Sequence, residues 1–536
     1  MNSNSKWIKG AFILTVGTVI SKIIGLLYII PFNSMINDYN GAELFQYSYT
    51  PYIFFITIAT AGFPQAVSKI TAKYNALGEY RQSRRFFQYG QIFMLIMGLA
   101  AFLLLFFTAP MIAKGFHANN FAVADITFTL RMVAIALLII PTLSFTRGYF
   151  QGHGEMLPTS VSQVTEQITR VVFLLISVYL VVVKFEQSIV LGIGMATAAA
   201  FIGAIFAVAV MYYFLYKQRD YFNDLLAQDK ATQSIPLRKM FGEVLVSSIP
   251  FILVAITLPG FQLIDNFTIN RMMQIVEPGM NSGVFNEIIN FKAQQIIMIP
   301  MAIATALQIS IVPTIAAVVA KENLKATRPH IDKVFLITLF ILIPASFGIM
   351  TLSNALYPAF YESSKLGVYF LAICAPLVVF FAMTTVSASI LQGMNKQSFS
   401  IKSLAIGVFV KIIANITLLY FIGATGAVIS SALGYATIAT LNMMMIHKQT
   451  QYPWGRLLRR AILIVLLSIM MVASLAVTKY LLNFVISIDT RFNAIVYLII
   501  CVPIGVTVYF ILAHKIGLLE KTLGARATRF MKRLRL

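Results

Sequence analysis

The chain has 536 residues, 59% of them hydrophobic and 11% charged, with a formal net charge of +22 and a mean hydropathy of +0.83. A soluble domain carries about 25% charged residues, and a soluble chain of this length splits into domains joined by polar linkers; neither feature is present. Continuous apolar runs of about 20 residues recur instead, each long enough to cross a hydrocarbon core of roughly 30 Å, and in lipid such runs must be helices rather than alternating barrel strands.

Fourteen spans are predicted. The first, about 8–32, is longer than a secretory signal core and has no small-residue cleavage site after it, so it is expected to stay in the membrane. Its Lys22 shares a polar face with Thr15, Thr18 and Gly25. Span 2, about 45–67, ends in Gly62-Phe63-Pro64-Gln65-Ala66, and Gly25, Gly62 and Pro64 can permit bending of the first two spans. Spans 3 and 4 cover about 87–110 and 123–144; Arg131 lies about a third of the way into span 4, within reach of Asp125 or Glu166 as a partner. Span 5, about 161–183, carries Glu166 and Arg170 four residues apart on one face, where they are expected to pair. Span 6, about 188–216, is rich in Gly and Ala, which allow close helix packing. Spans 7 and 8, about 243–265 and 290–316, place Asp265 and Lys292 near their outer ends, where snorkelling to the interface competes with a functional role.

Spans 9 and 10 cover about 334–353 and 367–389, and span 11, about 403–422, holds Lys411 one turn from Asn415. A turn at Gly423 to Gly426 separates it from span 12, about 424–446. Spans 13 and 14 cover about 461–483 and 492–513, and the basic tail 514–536 is expected to lie along the inner leaflet. Cys374 and Cys501 fall in apolar runs and are predicted to be core residues.

Lys and Arg orient the spans. With the N-terminus inside, 30 of the 41 bases lie in inside segments, 6 in outside segments or, as Lys479, at the outer end of a span, and 5 deeper within spans, so both termini are expected to be cytoplasmic. Charge spread over alternate loops speaks for topology and anionic membrane lipid, not for nucleic acid.

The sequence repeats weakly. Gln151-Gly152 recurs as Gln392-Gly393, 241 residues later, and the same offset carries Arg170 onto Lys411. Spans 1–6 then map onto spans 7–12 in the same orientation, a common transporter plan. The predicted domains are an N-terminal lobe at 1–220, a C-terminal lobe at 221–450, spans 13 and 14 at 451–513 and the tail at 514–536.

The intramembrane charges indicate the cargo. Each such charge costs ~2.5–3.5 kcal/mol on insertion scales and should face a partner or a wet interior. Five bases, Lys22, Arg131, Arg170, Lys292 and Lys411, stand against the acids Glu166 and Asp265. The excess favours an anion such as phosphate or pyrophosphate; a pump for lipophilic cations should show excess carboxylates. There is no P-loop and no His-Glu-x-x-His, and the five histidines lie in loops or at span ends, so no nucleotide site, metal or other cofactor is expected. Short outside loops with few acids disfavour an enzyme.

Local motifs add a family resemblance. Arg147-Gly148-Tyr149-Phe150-Gln151-Gly152, followed by Met156, Pro158-Thr159, Ser162-Gln163, Glu166-Gln167 and Arg170, resembles the span 4–5 signature of SpoVB/YtgP-type polysaccharide exporters. These belong to the multidrug/oligosaccharidyl-lipid/polysaccharide (MOP) exporter superfamily. Ser21-Lys22-Ile23-Ile24-Gly25 and the Gly62 to Ala66 segment are similar to the MurJ-like lipid II flippases. The resemblance implies an all-α membrane protein with two pseudo-twofold six-helix lobes around a V-shaped cavity, plus two C-terminal helices forming a groove for a polyprenyl tail. It implies alternating access that carries a diphosphate-sugar headgroup across the cell membrane for peptidoglycan synthesis.

Lys22 matches the family's first cation of span 1, but Tyr28, the Ile58–Thr60 region and Gln294-Gln295 stand where further charges, including a span 8 acid–base pair, are found in the family. Arg170 and Lys411 are the candidates to supply the missing charge, with Arg131, Lys292 and Asn415 as further substrate contacts and Glu166 and Asp265 as counter-charges. The energy source is expected to be the membrane potential or a monovalent cation, the protein a monomer, and its partners the anionic glycolipid, anionic membrane lipids and the cell-wall synthesis machinery. Alternatives are a flippase for a teichoic, capsular or spore-cortex intermediate, a cation-coupled multidrug antiporter, and a non-transporting scaffold.

Overall fold

In the computed structural model every regular element among the described residues is helical. The described residues are 13, 17, 18, 20, 21 and 24–523, except 26, 37–39, 61, 119, 230–235, 237–240, 243–247, 250–251, 277–281, 302–310, 313–314, 316–317, 320–323, 485 and 489; Lys22 and the tail beyond 523 lie outside them. Among the described residues ten helices are long and apolar enough to cross a membrane: Tyr80–Gly115, Val123–Gly152, Leu157–Lys184, Ile189–Lys217, Leu324–Phe360, Lys365–Gly393, Gln397–Ile422, Thr425–Thr450, Trp454–Leu482 and Arg491–Lys515. They fall on predicted spans 3–6 and 9–14. Large side chains such as Phe107 and Met111 are 71% and 79% exposed, as a surface solvated by lipid requires.

Span 2 is not one bent helix. Gly41–Thr60 and Phe63–Leu77 are separate helices, because Gly62 takes a left-handed conformation (φ 76°) that ends the first, and Pro64 sits in the opening turn of the second. Gly423 (φ 61°) likewise divides Gln397–Ile422 from Thr425–Thr450.

The chain forms two compact units, Met1–Arg271 and Met272–Leu536. In the first, Phe63–Leu77 packs on Ile140–Gly152 through Gly148 and Gly152, one helical turn apart. A Cβ on Gly148 would lie 2.8 Å from the Pro64 carbonyl oxygen, and one on Gly152 2.5 Å from Thr71 Cβ, so only glycine allows this approach. The helix Thr257–Val276 joins this unit through polar side chains: Gln46 donates to Asn266 Oδ1 at 2.5 Å, and Asn270 donates to the Tyr47 hydroxyl and, at 2.9 Å, to the Phe116 carbonyl.

The second unit is built around Arg328–Phe360. Spans 13 and 14 are part of its packing: Arg460 pairs with Asp332 at 2.5 Å, Lys479 donates to the Thr351 carbonyl at 2.8 Å, and Tyr509 to the Phe340 carbonyl at 2.8 Å.

A helix interruption recurs at the 241-residue offset. The glycine contact recurs as well: a Cβ on Gly393 would lie 3.0 Å from the Val312 carbonyl oxygen, and residue 312 is 241 beyond Thr71, the neighbour of Gly152. The fourth predicted span is interrupted at Ile135–Leu138 and the tenth at Ala375–Pro376.

Candidate functional site

Arg170 lies in the middle of Leu157–Lys184, on a helix that Gly203 brings close to Ile189–Lys217; a Cβ at Gly203 would meet the Glu166 carbonyl at 2.8 Å and Arg170 Cβ at 3.1 Å. Tyrosines surround its guanidinium. The Tyr28 hydroxyl lies within electrostatic reach of Arg170, whose Cζ is 5.8 Å from the Tyr49 ring centroid, and the Tyr49 and Tyr52 rings are 5.6 Å apart. Tyr28 and Tyr52 are 4% and 3% exposed. Guanidinium over aromatic rings is attractive, and more so away from water.

The predicted Glu166–Arg170 pair is not formed. Glu166 accepts from Arg147 at 2.7 Å, and Arg147 also donates twice to Ser162 Oγ, at 2.8 and 3.2 Å. The helix Ile140–Gly152 runs past the apolar run that defines span 4, so it delivers Arg147 to the foot of the next helix. Glu166 stays within electrostatic reach of Arg170. The polar stripe of span 1 faces this same helix. Thr18 bonds to Gln163 at 3.2 Å, a Cβ on Gly17 would meet Ser160, and one on Gly25 would lie 2.8 Å from Gln167 Nε2. Gly25 is thus a contact point between helices, and Lys22, on the same stripe, lies outside the described residues.

Arg131 is placed elsewhere. Its Cζ stacks 4.6 Å from the Phe106 ring and its Nε donates to the Phe106 carbonyl at 3.4 Å. Neither predicted partner reaches it, because Asp125 caps its own helix at the Ala122 N–H (3.0 Å) and Glu166 holds Arg147. Asp265 is 2% exposed, buried on Thr257–Val276 beside Asn266 rather than turned towards the interface.

In the second unit the two predicted cations have different surroundings. Lys292 does not snorkel: its Nζ meets Glu287 Oε1 at 2.5 Å, with side chains 13% and 8% exposed. An acid–base pair thus forms at 287 and 292, while Gln294-Gln295 stand where the resemblance implies one. Lys411 is fully buried between Gln397–Ile422 and Thr425–Thr450. Its ammonium donates to Asn415 Oδ1 (3.3 Å), the Ala427 carbonyl (3.1 Å), Ser430 Oγ (3.0 Å) and Ser431 Oγ (2.8 Å). An ammonium has three N–H donors, so these four oxygens leave it no free donor for a cargo phosphate. The predicted Lys411–Asn415 contact forms, as a pin within a helical hairpin.

Sequence reasoning missed Arg147, the three tyrosines, Glu287 and Tyr361. The tyrosines come from two other helical segments, and no spacing along the chain brings them to Arg170. Glu287 had a signal, since it lies at the start of an apolar run five residues from a lysine.

The chain matches a family model described as polysaccharide biosynthesis protein over residues 7–319. It is 37% identical over 541 aligned residues, covering 99% of both chains, to a protein of Bacillus subtilis (strain 168) named lipid II flippase MurJ. It is 25% identical, over 98% of this chain and 97% of the relative, to the uncharacterized membrane protein YabM of the same organism. Its fold is similar to that of lipid II flippase MurJ in an inward closed conformation, with a TM-score of 0.64 and 14% identity, covering 94% of this chain and 99% of that one. A family model that spans more than half of the sequence, and a full-length relative at this identity, place the chain in the polysaccharide biosynthesis protein family, in its MurJ branch.

Proposed function

We propose that the chain is a flippase that carries lipid II, a polyprenyl-linked glycolipid, from the inner to the outer leaflet of the cell membrane, and not an enzyme. The observation that carries this reading is the end-to-end relation, at 37% identity, to a lipid II flippase. The finer architecture is fourteen spans in two six-helix lobes plus two C-terminal helices, with both termini cytoplasmic. Ten helices on predicted spans and a helix interruption that recurs 241 residues apart support it, as does the bias of Lys and Arg to alternate loops.

Arg170 is the proposed diphosphate contact. A guanidinium presents five N–H donors in a planar fork that matches phosphate oxygens bidentately. Tyr28 and Tyr49 orient that fork, and Glu166 is engaged by Arg147. Lys22, which shares the polar face of span 1 with Thr18 in sequence, is the proposed second cation. Lys411 and Arg131 hold helices together and are left out of the cargo contacts.

The membrane potential is the proposed drive. Each elementary charge is worth about 2.3 kcal/mol per 100 mV, and an inside-negative potential pushes an anionic headgroup outward. The polyprenyl tail stays in lipid, so only the headgroup needs a polar route.

The test is depletion in cells followed by labelling of lipid II at the outer surface, together with flipping by the purified protein in vesicles. Depletion should abolish outer exposure, and the vesicles should show transport that rises with an imposed potential. Unchanged exposure with altered drug tolerance would instead identify an antiporter.

A further inference from the structure

Glu287 and Lys292 are five residues apart. On an α-helix of 3.6 residues per turn this spacing turns two side chains about 140° away from each other. Yet Lys292 Nζ lies 2.5 Å from Glu287 Oε1. The helix Ser282–Glu287 continues as a π-helical turn over Ile288–Ala293, and hydrogen bonds spanning five residues place side chains of that separation one above the other. Tyr361, immediately beyond Arg328–Phe360, supports the turn: its hydroxyl donates to the Lys292 carbonyl at 3.2 Å, and its ring centroid lies 5.6 Å from the ammonium.

This arrangement adds little stability. The desolvation penalty of a buried ion pair roughly offsets its attraction, and π turns are rare and concentrate at functional sites. Among the described residues the acid in contact with this buried ammonium is five residues away on a distorted turn, with Glu362 near enough to repel the Glu287 carboxylate, and such an ammonium is a cation held in reserve.

We propose that Glu287 is an internal counter-ion of Lys292, and that a phosphate of the anionic glycolipid displaces it when cargo binds. The proposal rests on the flippase reading above and names a second phosphate subsite for it, Lys292 over the Tyr361 ring. A carboxylate and a phosphate offer the ammonium the same kind of charged oxygen acceptor, so one can replace the other without opening a new donor. Once Glu287 is displaced, the pair no longer holds the π turn. Return of 288–293 to α geometry then swings Lys292 away from Glu287, so cargo binding changes the shape of this helix. Glu287 is a positioning residue that acts through Lys292.

The experiment uses the full-length protein in nanodiscs and measures binding of labelled lipid II, with melting temperature recorded for every variant. Glu287→Gln removes the competitor and should tighten binding about tenfold while slowing release. Lys292→Met should weaken binding by a similar factor, and the double variant should behave as Lys292→Met. Tyr361→Phe, which keeps both charges, should tighten binding about threefold by loosening the turn, and it carries the test if Glu287→Gln fails to fold. If either Glu287→Gln or Tyr361→Phe, folded, binds lipid II no more tightly than wild type, the counter-ion proposal is overturned. Wild-type protein that binds no lipid II would overturn the flippase reading itself.

Discussion

Arg170 and Lys411 lie 241 residues apart, each inside a long apolar helix. In sequence they are the same signal, a base where the bilayer disfavours one. In the structure they have different surroundings. Lys411 donates to four oxygens of its own helical hairpin and is fully buried. Arg170 is only partly buried, lies against the Tyr49 ring and has the Tyr28 hydroxyl within electrostatic reach. A cation with all its donors engaged is a structural part, and one steadied by aromatic faces keeps donors for a ligand. The kind of neighbour, rather than depth in the membrane, separates the two roles.

The comparison breaks most clearly at Arg170. Arg170→Ala should lower lipid II flipping in vesicles by about a hundredfold or more, the scale of losing a charge-assisted bidentate contact to phosphate. Its melting temperature should stay within a few degrees of wild type. Arg170→Lys should restore only part of the activity, because a point charge does not reproduce the fork. Near-normal flipping by Arg170→Ala would remove it from the cargo path.

Lys411 should show the opposite pattern. Lys411→Met keeps most of the volume but leaves Asn415, Ser430, Ser431 and the Ala427 carbonyl without a shared donor. Unsatisfied buried acceptors cost about 1–3 kcal/mol each. The single O–H of Ser430 can already serve Asn415 Oδ1 (2.8 Å) or the Ala427 carbonyl (2.9 Å), and Ser431 donates to that carbonyl at 3.0 Å, which limits the total to about 2–4 kcal/mol. The expected outcome is a clear drop in melting temperature with flipping per folded molecule within about threefold of wild type. Loss of transport at unchanged stability would show that the two cations share a role after all.

What was legible in the sequence follows the same division. Apolar length fixed ten spans that the structure shows, and Gly423 marked the break between Gln397–Ile422 and Thr425–Thr450 through its left-handed turn. The Lys411–Asn415 contact was readable because residues four apart share a helix face. The same rule misled at Glu166, since Arg147 arrives from a helix that continues beyond its apolar run. It was silent at Glu287 and Lys292, because a π turn leaves no period in the sequence. Gly148 and Gly152 stood out as part of a family signature, and the structure gives their physical reason as a seam against Pro64 and Thr71. The tyrosines about Arg170 were out of reach, since Tyr28 and Tyr49 meet it only after two further helical segments pack against its helix.

The smallest expected effect sharpens the comparison most finely, because Glu166 lies between the two candidate partners. Arg147 and Glu166 are 14% and 22% exposed at the side chain and 2.7 Å apart. A pair of this kind, close but not fully dry, is worth about 1 kcal/mol. A double-mutant cycle of Arg147→Met and Glu166→Gln should therefore give a coupling of about 1 kcal/mol in stability. The matching cycle of Arg170→Met and Glu166→Gln should give less than about 0.3 kcal/mol, the level found for residues that do not touch. Equal couplings would mean that Glu166 divides its charge between both arginines, and Arg170 would then need an acid partner much as Lys292 does. Unequal couplings in the stated order leave Arg170 with its tyrosines as the stronger neighbours and Glu166 as a distant charge, which is the feature that sets it apart from Lys411.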